Sequence, residues 1–133
     1  IGHFENQKGT IDLPIARKEN SIIERCISTT NGQNAITDYE VIQEIEINSD
    51  CLSIIKCYLK TGRTHQIRVH MAAIGHPLLG DTLYGNPSLS NANPVNRHAL
   101  HSSKISFVHP ITNEFLEFTS IFPIQTLIKS DFI

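Results

Sequence analysis

Residues 36–47, ITDYEVIQEIEI, alternate in polarity over most of their length. Tyr39, Val41, Ile45 and Ile47 fall on one side and Asp38, Glu40, Glu44 and Glu46 on the other. A period of two belongs to a strand buried on one face, whereas a helix would scatter the same residues around its circumference. Behind it, Asn48 to Asp50 reads as a turn. The following CLSIIKCYLK, residues 51–60, is β-branched, aromatic and apolar on both sides, which predicts a more central strand. The two segments together predict an antiparallel hairpin. Any fold for this chain has to be built around it.

The chain has 133 residues, 40% of them apolar, which suits one domain with a real core. No run approaches the roughly 20 apolar residues of a membrane helix. The opening IGHFENQKGT lacks the layout of a secretory signal. The three cysteines, Cys26, Cys51 and Cys57, form no CxxC pair, and core packing is expected for all of them. These features lead us to expect a soluble protein of a reducing compartment, the cytoplasm. Because the first residue is Ile1 and not Met, the chain is expected to be a piece of something longer.

The formal net charge is −2, but it is unevenly spread. Residues 1–50 hold nine acids against four bases, and residues 51–110 hold one acid, Asp81, against six bases. The middle of the chain is therefore a basic island of net +5 that also carries six of the seven histidines. Its densest part is LKTGRTHQIRVH, residues 59–70. Thr61-Gly62-Arg63 is expected to end the preceding strand, and Thr64 to cap a helix running through HQIRVHMAAI to Gly75, with Pro77 beyond. Ile67, Met71 and Ile74 would form its buried stripe, with His65 and Arg68 together on another side and His70 pointing elsewhere. KISFVH and EFLEFTS flank the turn PITN as two further strands, and GTIDLPIAR, interrupted by Pro14, reads as edge strand or loop. NPSLSNANPVN, residues 86–96, reads as a flexible loop, and PIQTLIKSDF as a short closing helix started by Pro123.

Several chemistries find no support. His65 and His70 are five apart with no glutamate between them, so the HExxH pattern of a zinc site is missing, and no metal is expected. Neither GxxxxGK[ST] nor GxGxxG occurs. Arg68 is the residue that most needs explanation. It sits among Ile67, Val69, Met71, Ala72 and Ala73, so its guanidinium is expected to be partly buried and must meet an anion. The acidic face of the 36–47 strand, a substrate phosphate or a catalytic carboxylate from elsewhere would each serve.

LKTGRTHQIRVHMAAIGHPLLGDTLYG, residues 59–85, resembles the signature of the RluA-type RNA pseudouridine synthases, TGR-[ST]-HQ-[IL]-R-x-H followed by GHP-[IL]-x-GD-x-x-Y. GTIDLPIAR (9–17), NAITDYEVI (34–42) and RHALHSSKISFVHPITNEFLEF (97–118) resemble three further blocks of that family, in the same order. The resemblance covers nearly the whole chain.

The resemblance implies an enzyme that isomerises selected uridines of ribosomal or transfer RNA without cofactor or metal. A catalytic aspartate attacks, the N-glycosidic bond breaks, the uracil rotates and C5 rejoins the ribose. It implies that Arg68 pairs with that aspartate, that Lys60, Arg63 and His65 meet RNA phosphates at the helix entrance, and that Leu100 touches the target base. Asp81, in the GD-x-x-Y turn, is expected to anchor the loop after Pro77. The family's upstream HRLD-x-x-TSG block, which carries the nucleophile, does not occur here. Residues 1–133 are therefore expected to be the C-terminal part of a catalytic domain, inactive without its N-terminal half. The alternative is an inactive RNA-binding or partner-binding module using the same basic island. The expected fold is α+β: a mixed, largely antiparallel sheet with one main helix packed on it.

Overall fold

The computed structural model describes residues 1–47, 50–85 and 97–121. The interior of the expected turn at 48–50, the 86–96 loop and the closing helix lie outside them. Among the described residues seven strands and one helix follow in chain order: β1 (Lys8–Asp12), β2 (Ile15–Arg17), β3 (Arg25–Ile27), β4 (Ile36–Ile47), β5 (Asp50–Leu59), α1 (Gln66–Ala73), β6 (Lys104–Val108) and β7 (Phe115–Thr119). The class is α+β as expected. Among the described residues every strand pairing is antiparallel, and the strands divide into three sheets, β1-β4-β5, β2-β3 and β6-β7.

The β4–β5 hairpin is present, with two corrections. First, β4 and not β5 is central, because β1 takes the other edge of β4; Asp50, expected in the turn, already pairs with Ile47. Second, the alternation does not run through. The register shifts between Val41 and Gln43, leaving Ile42 as an extra, exposed residue. Such a bulge reverses which side chains share a face. Before it, Tyr39 and Val41 oppose Cys57 and Ile55; beyond it, Glu44 opposes Ser53, two residues from Ile55. Glu44 and not Ile45 therefore continues the face of Tyr39 and Val41. It accepts the N–H of Phe4 at 3.2 Å and bonds His3 Nδ1 at 2.7 Å, so the first few residues lie across this face.

Pro14 separates β1 from β2, and the chain thereby passes from one sheet to the next. Gly9 in β1 opposes Tyr39, and a Cβ there would lie 2.7 Å from the tyrosine ring. That close approach lets Tyr39 lie over the β1 backbone and pack on Phe4, with ring centroids 5.3 Å apart.

The helix α1 sits between two apolar clusters. Met71, with Ile67 and Ile74 beside it, packs with Phe4, Ile11 and Val41 over the three-stranded sheet, as the expected stripe requires. Val69, on another side, packs with Ile15 and Ala35 near β2–β3. Gly75, at φ 86°, ends the helix as expected. The start differs. His65, not Thr64, is the cap residue, in the left-handed region at φ 58° with no side-chain cap bond.

The β6–β7 hairpin forms around PITN as expected, yet Ile105, Phe107, Val108, Phe115 and Phe118 are all exposed. Apolar exposure on this scale drives association. The 133-residue chain alone should self-associate with rising concentration in light scattering; a monodisperse monomer at high concentration would contradict this. Gly9→Val should displace Tyr39 and lower stability by about 1–3 kcal/mol in urea unfolding, and an unchanged midpoint would show that Tyr39 does not depend on Gly9.

Candidate active site

HQIRVH divides its polar residues between two sides of α1. Gln66 and His70, four apart and both buried, face β4. Gln66 Oε1 accepts the Arg63 N–H at 2.9 Å and the Thr61 hydroxyl at 2.8 Å, while Nε2 donates to Ile36 O and to Thr37 Oγ1, each at 3.0 Å. Because the Arg63 amide can only donate, the orientation of the Gln66 amide is fixed. His70 Nε2 lies 2.9 Å from Leu13 O, which can only accept, so the ring proton is on Nε2 and Nδ1 accepts from the Thr37 hydroxyl at 2.9 Å. The Gln66–Thr37–His70 chain ties the start of α1 to β4 and the segment after β1. Burial lowers the His70 pKa and favours this neutral ring.

Arg68 and His65 face the other way, toward the turn at Asp81–Gly85. Arg68 Nε and Nη2 donate to the two oxygens of Asp81, both at 2.8 Å, with Asp81 fully buried and the guanidinium side chain 13% exposed. The carboxylate partner of Arg68 within this chain is thus neither on the β4 face nor external, the options left open by the sequence. Asp81 also accepts the N–H groups of Leu83 and Tyr84, each at 3.0 Å, and so anchors its loop as expected. Burial pushes the Asp81 carboxyl up, but the Arg68 guanidinium and these two amides outweigh it and hold the pKa at about 2. The same bond to Asp81 raises the Arg68 pKa.

The Tyr84 ring lies 4.9 Å from the guanidinium carbon, and its hydroxyl accepts the Arg25 N–H at 2.8 Å and bonds His65 Nδ1 at 2.9 Å. Arg68 is therefore clamped along one edge by Asp81 and across one face by Tyr84. Its Nη1 has no hydrogen-bond partner among the described residues.

The structure brings His65 and Arg68 together through Tyr84. It separates them from Lys60, whose amine is 3.4 Å from Asp38 on the exposed side of β4. Arg63 is exposed and donates through Nε to Asn34 O at 3.0 Å. Leu100 is half-buried in a loop held by Ala99, whose N–H bonds Leu79 O at 2.7 Å. Gln66, His70 and Tyr84 were not singled out from sequence. Two polar residues at i and i+4 on an otherwise apolar helix were the available signal for the first two. Burial pushes the Cys57 thiol up to about 11, which makes it a poor nucleophile. Among the described residues no three His, Cys, Asp or Glu converge as a metal would need.

Two outcomes are expected. Gln66→Leu leaves several buried partners unpaired and should cost about 3 kcal/mol in urea unfolding; a loss below about 1 kcal/mol would contradict the latch. Acid unfolding should show two stages. His70, with its folded pKa below the unfolded 6.5, contributes stability above that value that is lost as pH falls beneath it. Asp81, depressed from 3.8 to about 2, contributes about 2 kcal/mol that is present above about pH 4 and lost toward pH 2. Asp81→Asn should shrink the second stage, to which the lowered carboxyls of Glu24, Asp38, Glu40 and Glu44 also contribute, and leave the first unchanged in a pH series of unfolding curves.

Comparison with known proteins bears on this geometry. The family model for RNA pseudouridylate synthase matches residues 2–73. The chain is 43% identical over 132 residues to the uncharacterized RNA pseudouridine synthase YjbO of Bacillus subtilis, covering 98% of this chain and 44% of that protein. It is 39% identical to the ribosomal large subunit pseudouridine synthase D of Zymomonas mobilis, covering 96% and 41%. It is 38% identical to the dual-specificity RNA pseudouridine synthase RluA of Haemophilus influenzae, covering 98% and 54%. Human RNA pseudouridylate synthase domain containing 1 superposes with a TM-score of 0.81 at 30% identity, over 96% of this chain and 54% of that one. The chain thus spans about two fifths to a little over half the length of these relatives. With the family model matching more than half of it, the chain belongs to the RluA-type RNA pseudouridine synthases.

Proposed function

We propose that this chain supplies the arginine side of the active site of an RNA pseudouridine synthase, the nucleophilic aspartate coming from a segment outside residues 1–133. The clamped guanidinium of Arg68 carries the reading. Asp81 and Tyr84 fix its plane and leave the Nη1 edge for a second carboxylate. Asp81 already neutralises one unit of charge, so that carboxylate would be held mainly by directed hydrogen bonds, which keep it ionised and aimed at the target nucleotide. Attack by the aspartate on the ribose C1′ displaces the uracil from N1; the uracil rotates, C5 attacks C1′ and expels the aspartate carboxylate, and C5 then loses its proton to solvent while N1 takes one up. The nucleotide must leave its stack for this chemistry.

Lys60, Arg63 and His65 are assigned to RNA phosphates and Leu100 to the target base. A structured RNA, ribosomal or transfer RNA, is the substrate; similarity to the ribosomal large subunit pseudouridine synthase D of Zymomonas mobilis supports a ribosomal target. The protein is placed in the cytoplasm, where its three free cysteines would stay reduced.

The test is tritium release from RNA labelled at uracil C5. The full-length gene product should release tritium, its Arg68→Ala variant should lose about a hundred- to a thousandfold in rate, the scale on which removing a positioned catalytic partner acts, and the 133-residue chain alone should release none. Arg68→Lys should not rescue, because an ammonium cannot span Asp81 and a second carboxylate with a planar fork. Release retained by Arg68→Ala would overturn the assignment.

A further inference from the structure

Arg17 and Arg25 are direct cross-strand partners in the β2–β3 pair. Like charges in this relation work against the pairing. Among the described residues no carboxylate forms an ion pair with either. Arg17 has no side-chain hydrogen bond or ion pair among the described residues. Glu24, the nearest acid in sequence to Arg25, is held by Lys18 at 2.9 Å. Arg25 spends only Nη1, on the carbonyls of Ile23 and Glu24 in its own turn. Arg63 reaches the same place from the other side of α1's entrance, so that Arg17, Arg25 and Arg63 line one open cleft of about 260 Å³ together with Asn31, Gln33 and Thr64. Glu19 lines the adjoining cleft, which shares Arg17 and Asn31 with this one, but makes no ion pair with Arg17 among the described residues.

We propose that Arg17, Arg25 and Arg63 form a phosphate-binding cleft that holds the RNA backbone beside the active site. The inference rests on the reading above that this chain acts on RNA, and it extends the RNA contact beyond the helix entrance onto the β2–β3 pair. Guanidinium groups with spare donors and uncharged hydrogen-bonding neighbours are the chemistry that recognises a phosphodiester. The cleft adjoins the reaction centre. The Arg25 N–H bonds the Tyr84 hydroxyl at 2.8 Å, and the ring of Tyr84 lies against Arg68. The field of the cleft is felt there: the His65 pKa is lowered by burial, then by Arg68 and by Arg25. A cross-strand arginine pair that costs the fold and gains no carboxylate partner among the described residues fits a site completed by an external polyanion.

The proposal is tested on the full-length gene product with a fluorescein-labelled, uridine-containing RNA stem-loop, read by anisotropy across a chloride series, beside tritium release. Arg17→Gln/Arg25→Gln should bind about tenfold more weakly at low salt and lose about 1.5 from the slope of log affinity against log salt. The conservative Arg17→Lys/Arg25→Lys should keep most of the slope. Relief of the like-charge pair means the Gln variant should unfold at a temperature no lower than the parent, so weaker binding with an intact fold marks a binding role. Unchanged affinity and slope in the Gln variant, with the parent releasing tritium, would overturn the cleft and leave the catalytic reading standing. Weakened binding in a protein whose parent releases no tritium would support the cleft and overturn the catalytic reading. Displacement of the RNA by inorganic phosphate well below the chloride concentration that does so would reassign the site to free phosphate and overturn the backbone assignment.

Discussion

The pair between Arg68 and Asp81 joins the helix to the turn that follows it and, through Tyr84, to the β2–β3 pair. Asp81 holds Arg68 through two bonds of 2.8 Å and, with its Oδ1, also the amides of Leu83 and Tyr84. Tyr84 is thereby set against the guanidinium, where its hydroxyl reaches both His65 and the backbone of β3 at Arg25. One buried carboxylate thus links the helix, the turn that follows it and the β2–β3 pair. A buried guanidinium without such a partner would be strongly destabilising. The fold and the candidate chemistry consequently depend on the same charge pair.

The opposite side of α1 solves a different problem. The cap position has no side-chain cap, and His65 adopts a left-handed conformation that an L-residue adopts at a cost. Gln66 takes over by gathering the Arg63 amide, Thr61 and β4 around its buried amide, and His70 continues the chain to Leu13. This network fixes α1 in rotation. Arg68, two residues on from Gln66, is then directed away from the sheet toward Asp81.

Much of this was legible in the sequence, for identifiable reasons. The β4–β5 hairpin follows from alternation, the β6–β7 hairpin from turn residues between apolar runs, and the end of α1 from Gly75. The faces of β4 were misread past Val41 because the break in alternation at Ile42 and Gln43 was bridged by the even spacing of Val41 and Ile45, and only pairing to β5 shows that Ile42 is an inserted residue. The cap at Thr64 failed because its competitor was a side chain inside the helix. Arg68 was legible as a buried cation, whereas its partner Asp81, thirteen residues on, was not, since nothing in spacing tells a loop carboxylate from a solvated one. The Arg17–Arg25 pairing is a matter of register across the β2–β3 connection, which sequence does not specify.

The central claim is that Arg68 and Asp81 act as one unit that sets the site. A double-mutant cycle on unfolding free energy, with Arg68→Ala, Asp81→Ala and the double variant in the full-length gene product, tests it most directly. The account predicts a coupling of about 2 kcal/mol or more between the two positions. Effects that add to within about 0.5 kcal/mol would contradict it.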